Sequence, residues 1–106
     1  MSGPLGDMGN LLAQAQKMQR AMEEAREALE NERVTGTTGG GVVQVEMTGS
    51  GAILSVSIAP EAYASGRESL EELVSLALQD GQRKAEALRG KRMGEVTGGL
   101  NLPGFS

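Results

Sequence analysis

Seven apolar positions, Met8, Leu11, Ala15, Met18, Met22, Ala25 and Leu29, recur along the first third of the chain with steps alternating between three and four residues. That spacing is a heptad seam sustained over three heptads, and it demands one long helix. The seam is too narrow to cover a broad sheet and suits contact with another helix. "LLAQAQKMQRAMEEAREALE" (residues 11–30) therefore reads as the body of a helix from Asn10 to Glu32, roughly 34 Å long. The Gly-rich opening "MSGPLGDMGN" leads into it, with Asp7 or Asn10 as the expected cap.

The charges of this helix run against its dipole. Lys17 and Arg20 stand in the front half, while Glu23, Glu24, Glu27, Glu30 and Glu32 crowd the rear, where the dipole favours cations. Glu23 with Arg26 and Arg26 with Glu30 have the spacing for local support, and Arg20 has the spacing to pair with Glu24.

At Arg33 the pattern changes. "RVTGTTGGG" mixes β-branched residues with glycines, and the following stretch alternates with period two: Val43, Val45 and Met47 on one face, Gln44, Glu46 and Thr48 on the other. "TGSG" (residues 48–51) signals a hairpin. The returning strand sets Leu54, Val56 and Ile58 against Ser55 and Ser57 until Pro60 stops it. A meander of three short antiparallel strands with one apolar face follows. A second helix is expected from Arg67 to Arg92, about 39 Å long, with Ser65 and Glu68 or Ser69 and Glu72 in capping-box spacing. Its apolar stripe of Leu70, Leu73, Val74, Ala77, Leu78, Gly81, Ala85 and Leu88 contains a glycine that permits a close approach to sheet or helix. In the tail, "TGGLNLPGFS", Leu100, Leu102 and Phe105 could tack back onto an apolar surface.

The fold class is thus α+β: helix, three-stranded antiparallel sheet, long helix. A seven-residue strand spans only about 23 Å, so both helices overhang the sheet. A symmetric homodimer sharing one core, with helix ends projecting, is the simplest arrangement that accommodates them. Its core and dimer contacts are expected from Met18, Met22, Val43, Val45, Leu54, Val56 and Ile58. The chain of 106 residues fits one domain, residues 1–106, with 1–9 and 97–106 as flexible tails.

Composition narrows the function. There is no Cys and no His, which removes disulfides, thiolate metal sites and the commonest general base, so no catalytic residues, metal or other cofactor are expected. "GTTGGG" leads into a strand and lacks a following Lys-Ser/Thr pair, unlike a phosphate-binding loop. Neither a membrane span nor a signal peptide is legible, and a cytoplasmic protein with no membrane partner is expected. The net charge of −4 argues against nucleic acid only as an average.

"GNLLAQAQKMQRAMEEA", "VTGTTGGGVVQVEMTGSG", "SLEELVSLALQDGQRKAE" and "MGEVTGGLNLPGF", taken in order, resemble the YbaB/EbfC family of small bacterial nucleoid-associated proteins over nearly the whole chain. The resemblance implies a homodimer whose helices protrude like tweezers, located in the cytoplasm at the nucleoid. It also implies binding to double-stranded DNA that alters the conformation of the duplex.

"RKAEALRGKR" at the end of the second helix carries Arg83, Lys84, Arg89, Lys91 and Arg92 against Glu86 alone, a candidate phosphate-contacting patch. The plain alternative is that basic residues at a helix end only complement its dipole. Lys17 and Arg20 gain nothing from that dipole and complete the candidate nucleic-acid set, with an ordinary solvated face as their alternative. If the free end of the first helix joins the basic end of the second at one tip, charge is separated in space despite the acidic total. Two functions fit: an architectural DNA-binding dimer with backbone contacts, or a protein-interaction module whose acidic surface and helical seam recruit a partner while DNA contact is incidental. With only Tyr63 and Phe105 as aromatics, a base-stacking platform for single strands is disfavoured.

Overall fold

Two helices much longer than the sheet between them set the shape of the molecule. The computed structural model describes residues 4–100. Helix α1 (Pro4–Asn31) leads into strands β1 (Arg33–Thr38), β2 (Val43–Thr48) and β3 (Ile53–Ile58), then a short helix α2 (Pro60–Ala64) and the long helix α3 (Arg67–Leu100). The molecule measures 75 × 21 × 17 Å with a radius of gyration of 20.7 Å, against about 13 Å for a compact domain of this length. The overhang expected from element lengths is present in a single chain.

Both helices exceed their expected spans. Residues 4–9 and 97–100, read as tails, continue the helices, so Asp7 and Asn10 sit inside α1 and cap nothing at its start. Gly98, read as part of the Gly-rich tail, lies inside α3, whose continuation absorbs its helical cost of about 1 kcal/mol relative to Ala. The tacking back of Leu102 and Phe105 lies outside the described residues. Neither expected capping box forms at α3: the Ser65 hydroxyl donates to Ala62 O (2.6 Å) at the end of α2, while Gly66 O accepts the first helical bond, from the Leu70 N–H (2.9 Å). Helix α2, absent from the expectation, starts with Pro60 at its first turn, where the missing N–H costs nothing.

The sheet order is β1-β2-β3, antiparallel throughout. Val43, Val45 and Met47 are fully buried, and Val34, Leu70, Leu73, Val74 and Leu78 pack around them. Helix α3 crosses β1 and β2. Its approach is closest where Gly36 of β1 meets Gly81 of α3: a Cβ on Gly36 would stand 2.7 Å from the Gly81 Cα and meet the carbonyl of Ala77. The close approach anticipated for Gly81 is therefore a helix-to-sheet contact. Between β1 and β2 the chain turns through Gly39, Gly40 and Gly41, all at positive φ (62°, 71° and 97°), a run that other residues rarely adopt.

Strand β3 is different. Val56 and Ile58 are registered against Val45 and Val43, hence on the α3 side of the sheet, with a bulge at Leu54. Helix α3 does not reach them: Ile53, Leu54, Val56 and Ile58 remain 43–55% exposed.

Helix α1 leaves the sheet from a fixed base. Its heptad seam meets α3 of the same chain, with Leu29 buried and Met18, Met22 and Ala25 half-buried, while Met93, Val96 and Thr97 are half-buried on α3. The turn after β2 docks beneath its end, where the Gly49 N–H donates to both Leu29 O and Glu32 O (2.9 Å each). Arg33 Nη1 donates to Glu30 O (3.0 Å) and Glu32 O (3.1 Å). These donors satisfy carbonyls that a helix end otherwise leaves open. Beyond Met18 the helix projects with Met8, Leu11 and Leu12 exposed among the described residues.

Candidate nucleic-acid interface

The candidate cations divide into two separate groups. Lys17 and Arg20 are exposed on the projecting half of α1, and neither is in an ion pair among the described residues. The pairing of Arg20 with Glu24 and of Arg26 with Glu23 and Glu30 does not form within 4 Å; on a solvated helix such pairs contribute a few tenths of a kcal/mol at most. Arg83, Lys84, Arg89, Lys91 and Arg92 lie on α3 where it passes the sheet and the base of α1. Lys17 precedes that base by about fifteen residues, or roughly 22 Å along the axis. Within one chain the two groups are not joined at a common tip, and among the described residues the tip is built by α1.

Most cations of the second group are engaged inside the molecule. Arg92 Nε donates to Glu32 Oε2 (3.1 Å) while its Nη2 contacts Oε1, and its Nη1 bonds Glu95 Oε1 (3.1 Å). This chelated pair ties α3 to the end of α1. Arg89 Nη1 donates to Ser50 O (3.0 Å) in the β2–β3 turn. Arg83 pairs with Asp80 (3.4 Å). Lys84 Nζ donates to Thr35 O (2.8 Å) and pairs with Asp80 Oδ2 (3.0 Å), which in turn accepts the Thr37 N–H (2.9 Å). Asp80 and Lys84 thus occupy outward-facing backbone groups of β1 and close that edge of the sheet. Lys91 alone of the five is exposed with no ion pair or hydrogen bond among the described residues.

Lys84 and Lys91 also line a shallow groove beside β1 with Arg33, Val34, Thr35, Ala87 and Leu88. Arg33 was missed as a site candidate. Its position at a helix-to-strand junction gave no sign in the sequence that it would face the basic side of α3. The Asp80 pairs, by contrast, have the three- and four-residue spacing that "QDGQRK" displays openly.

Of the acids toward the rear of α1, Glu32, just past the helix end, meets the basic stretch of α3 at Arg92, while Glu23, Glu24, Glu27 and Glu30 are exposed and in no ion pair among the described residues. The hydrogen bond and charge of Arg92, helped by Lys91, hold the Glu32 carboxyl below its ordinary value of 4.5. Asp80 is likewise held below its ordinary 3.8, first by the Thr37 N–H and then by Lys84. A carboxylate with a depressed folded-state pKa stabilises the fold fully above its unfolded value, and the contribution disappears as pH falls through the folded one. The Glu32–Arg92 tie should therefore hold above about pH 4.5 and fail progressively below it. In Arg92→Gln, amide protection at the base of α1, residues 26–32, should already be lower at neutral pH and should change less between pH 5 and pH 3 than in the parent. Equal acid sensitivity in both proteins would remove Glu32 as the responsible group.

A model of the YbaB/EbfC DNA-binding family matches residues 5–100 of the chain. A nucleoid-associated protein of Alkaliphilus metalliredigens (strain QYMF) is 39% identical over 104 residues, which is 97% of this chain and 91% of the relative. The crystal structure of an uncharacterized protein from Helicobacter pylori superposes with a TM-score of 0.67 at 25% identity, covering 79% of this chain and 86% of the other.

Proposed function

Since the chain belongs to the YbaB/EbfC DNA-binding family, we propose that it acts at the nucleoid as a homodimer that grips duplex DNA by its phosphates and alters the path of the duplex. The observation that carries this reading is the projecting α1 arm, which presents Lys17 and Arg20 without ion-pair partners among the described residues. Lys91 adds a third available cation near the base of each arm. Cations already tied to carboxylates or carbonyls, such as Arg92 and Arg89, serve the fold and hold the arm at its angle. Phosphate contact through mobile Lys and Arg side chains carries no sequence information, so low sequence specificity follows.

The two edges of the sheet suggest how two chains associate. The β1 edge is closed by Asp80 and Lys84, whereas β3 offers an uncovered apolar face of Val56, Ile58 and Leu54. A second copy placed on that face gives one shared core and two arms.

Fluorescence anisotropy with a random-sequence duplex across a salt series tests the DNA reading. Log affinity should fall linearly with log salt, by about 0.9 per phosphate neutralised. Lys17→Gln/Arg20→Gln/Lys91→Gln changes six cations per dimer and should flatten the slope by up to about 5. Replacing all five α3 cations would be a poorer experiment, because it also cuts the ties of Arg92, Arg89 and Lys84. An absence of binding at low salt would leave the interaction module, with the acidic surface as its recruiting face. Unchanged binding by the triple variant would move the DNA contacts elsewhere.

A further inference from the structure

One side of α3 carries a row of residues that the core does not use. Glu72, Leu76, Asp80, Arg83, Ala87 and Lys91 follow one another in steps of four, four, three, four and four residues, so they stack on a single side of the helix. All are exposed except Asp80, whose carboxylate accepts the Thr37 N–H and shows that this side borders the β1 edge. Leu76 is 43% exposed. Glu72 and Lys91, at the two ends of the row, are in no ion pair among the described residues.

From front to back the row runs acid, apolar, acid, base, apolar, base. Turned end for end about a point between Gly81 and Gln82, it meets its own complement: Glu72 falls opposite Lys91, Leu76 opposite Ala87, and Asp80 opposite Arg83. The helix dipole accounts for acids at the front of α3 and bases at its rear. It gives no reason for Leu76 to stand in water, nor for the apolar groove at the matching position, where Ala87 lies with Val34 and Leu88 between Lys84 and Lys91.

We propose that a second copy of this chain docks on this row with its α3 antiparallel to the first. Leu76 of each copy then sits in the groove beside Ala87 of the other, and Glu72 pairs with Lys91 at both ends. At the centre, the Asp80–Arg83 pairs of the two chains lie side by side with opposite sense. The contact runs along about 28 Å of helix and is isologous, each copy giving the same surface. One row of side chains per copy is a small interface, at the weak end of specific ones. It therefore forms at high local concentration, as among molecules gathered on one duplex. It leaves β3 free and rests on neither the β3 dimer nor DNA; where that dimer forms, each dimer displays two such rows and can join a neighbour at either.

The absence of cysteine makes the test direct. Leu76→Cys and Ala87→Cys chains, mixed at high concentration and low salt and mildly oxidised, should form the mixed disulfide about tenfold faster than Leu76→Cys alone forms its own. In the antiparallel pair the two copies of position 76 stand about 16 Å apart along the axis, out of disulfide reach; the same rise separates 76 from 87 within a chain. Lys91→Glu in both chains should slow the mixed link about tenfold, and adding Glu72→Lys should restore it, because the reversed charges again match. In the Val56→Asp background the mixed link should persist, since β3 takes no part. Mixed linking no faster than like linking, or reversal of both charges without recovery, would overturn the proposal. So would loss of the link in Val56→Asp, which would assign the proximity to the β3 dimer.

Discussion

Replacing Gly36 by valine should leave the chain largely unfolded under conditions where the parent is fully folded. At this position even the first added carbon would lie 2.5 Å from the Gly81 N and 2.7 Å from its Cα, and it would press on the Ala77 carbonyl. All three neighbours are backbone, so no rotamer change relieves the clash; α3 must lift from β1. Lifting it opens the layer that buries Val43, Val45 and Met47, the centre of a small core. Overpacking with backbone displacement costs about 3 kcal/mol or more, a large share of the stability of a domain this size. Gly36→Ala should show the same effect in smaller measure. Gly94→Ala is the control: nothing lies within 4 Å of its added carbon, it sits inside α3, and it should stabilise by up to about 1 kcal/mol. Urea titrations followed by circular dichroism distinguish these outcomes. A Gly36→Val protein as stable as the parent would show that α3 and β1 are not in such close contact.

The second large effect is expected from Val56→Asp, which should convert the dimer proposed above to monomers without unfolding the chain. Val56 is 45% exposed in the single chain, so the carboxylate keeps access to water there and secondary structure should persist. In a dimer built on β3 the two-fold relation brings both new charges into one apolar contact. Burying such groups without partners costs several kcal/mol, and about 4 kcal/mol corresponds to a roughly thousandfold weaker dimer. Sedimentation equilibrium over a wide concentration range measures this. Retention of the parent dimer by Val56→Asp would place the interface elsewhere. Loss of the dimer should also weaken DNA binding disproportionately, since two linked arms bind more tightly than one.

Much of this molecule was legible because its patterns were long and periodic. The α1 seam, the alternation of β2 and the stripe of α3 each repeat enough to overcome local noise, and the helix, sheet, helix order follows directly. Gly81 was legible as a point of close approach because it interrupts an otherwise apolar stripe. Helix ends were harder: "TGGL" (residues 97–100) read as a tail, yet helical structure runs through it to Leu100. Helix α2 spans five residues, too few for a period to declare itself. The candidate site was legible only as a list of cations. Which of them are free depends on partners far away in sequence, such as Glu32 for Arg92 or Ser50 for Arg89, and no local spacing reveals those. Consequently Arg92 read as a phosphate contact whereas its engagement is with Glu32.

Besides the seam that it shares with α3 as far as Met18, α1 is held at its base by the Gly49 N–H, Arg33 and the Glu32–Arg92 pair. They hold one end of a rigid lever. From Met18, where the packing on α3 ends, to Met8 this lever is about 15 Å long, so a tilt of about 10° displaces the tip by about 3 Å, half the width of a DNA minor groove. In the proposed dimer the gap between two such levers is therefore set behind them, by packing and hydrogen bonds remote from any phosphate. Sequence change at residues 32, 49 and 92 can retune the calibre of the grip while every cation on the arms stays the same.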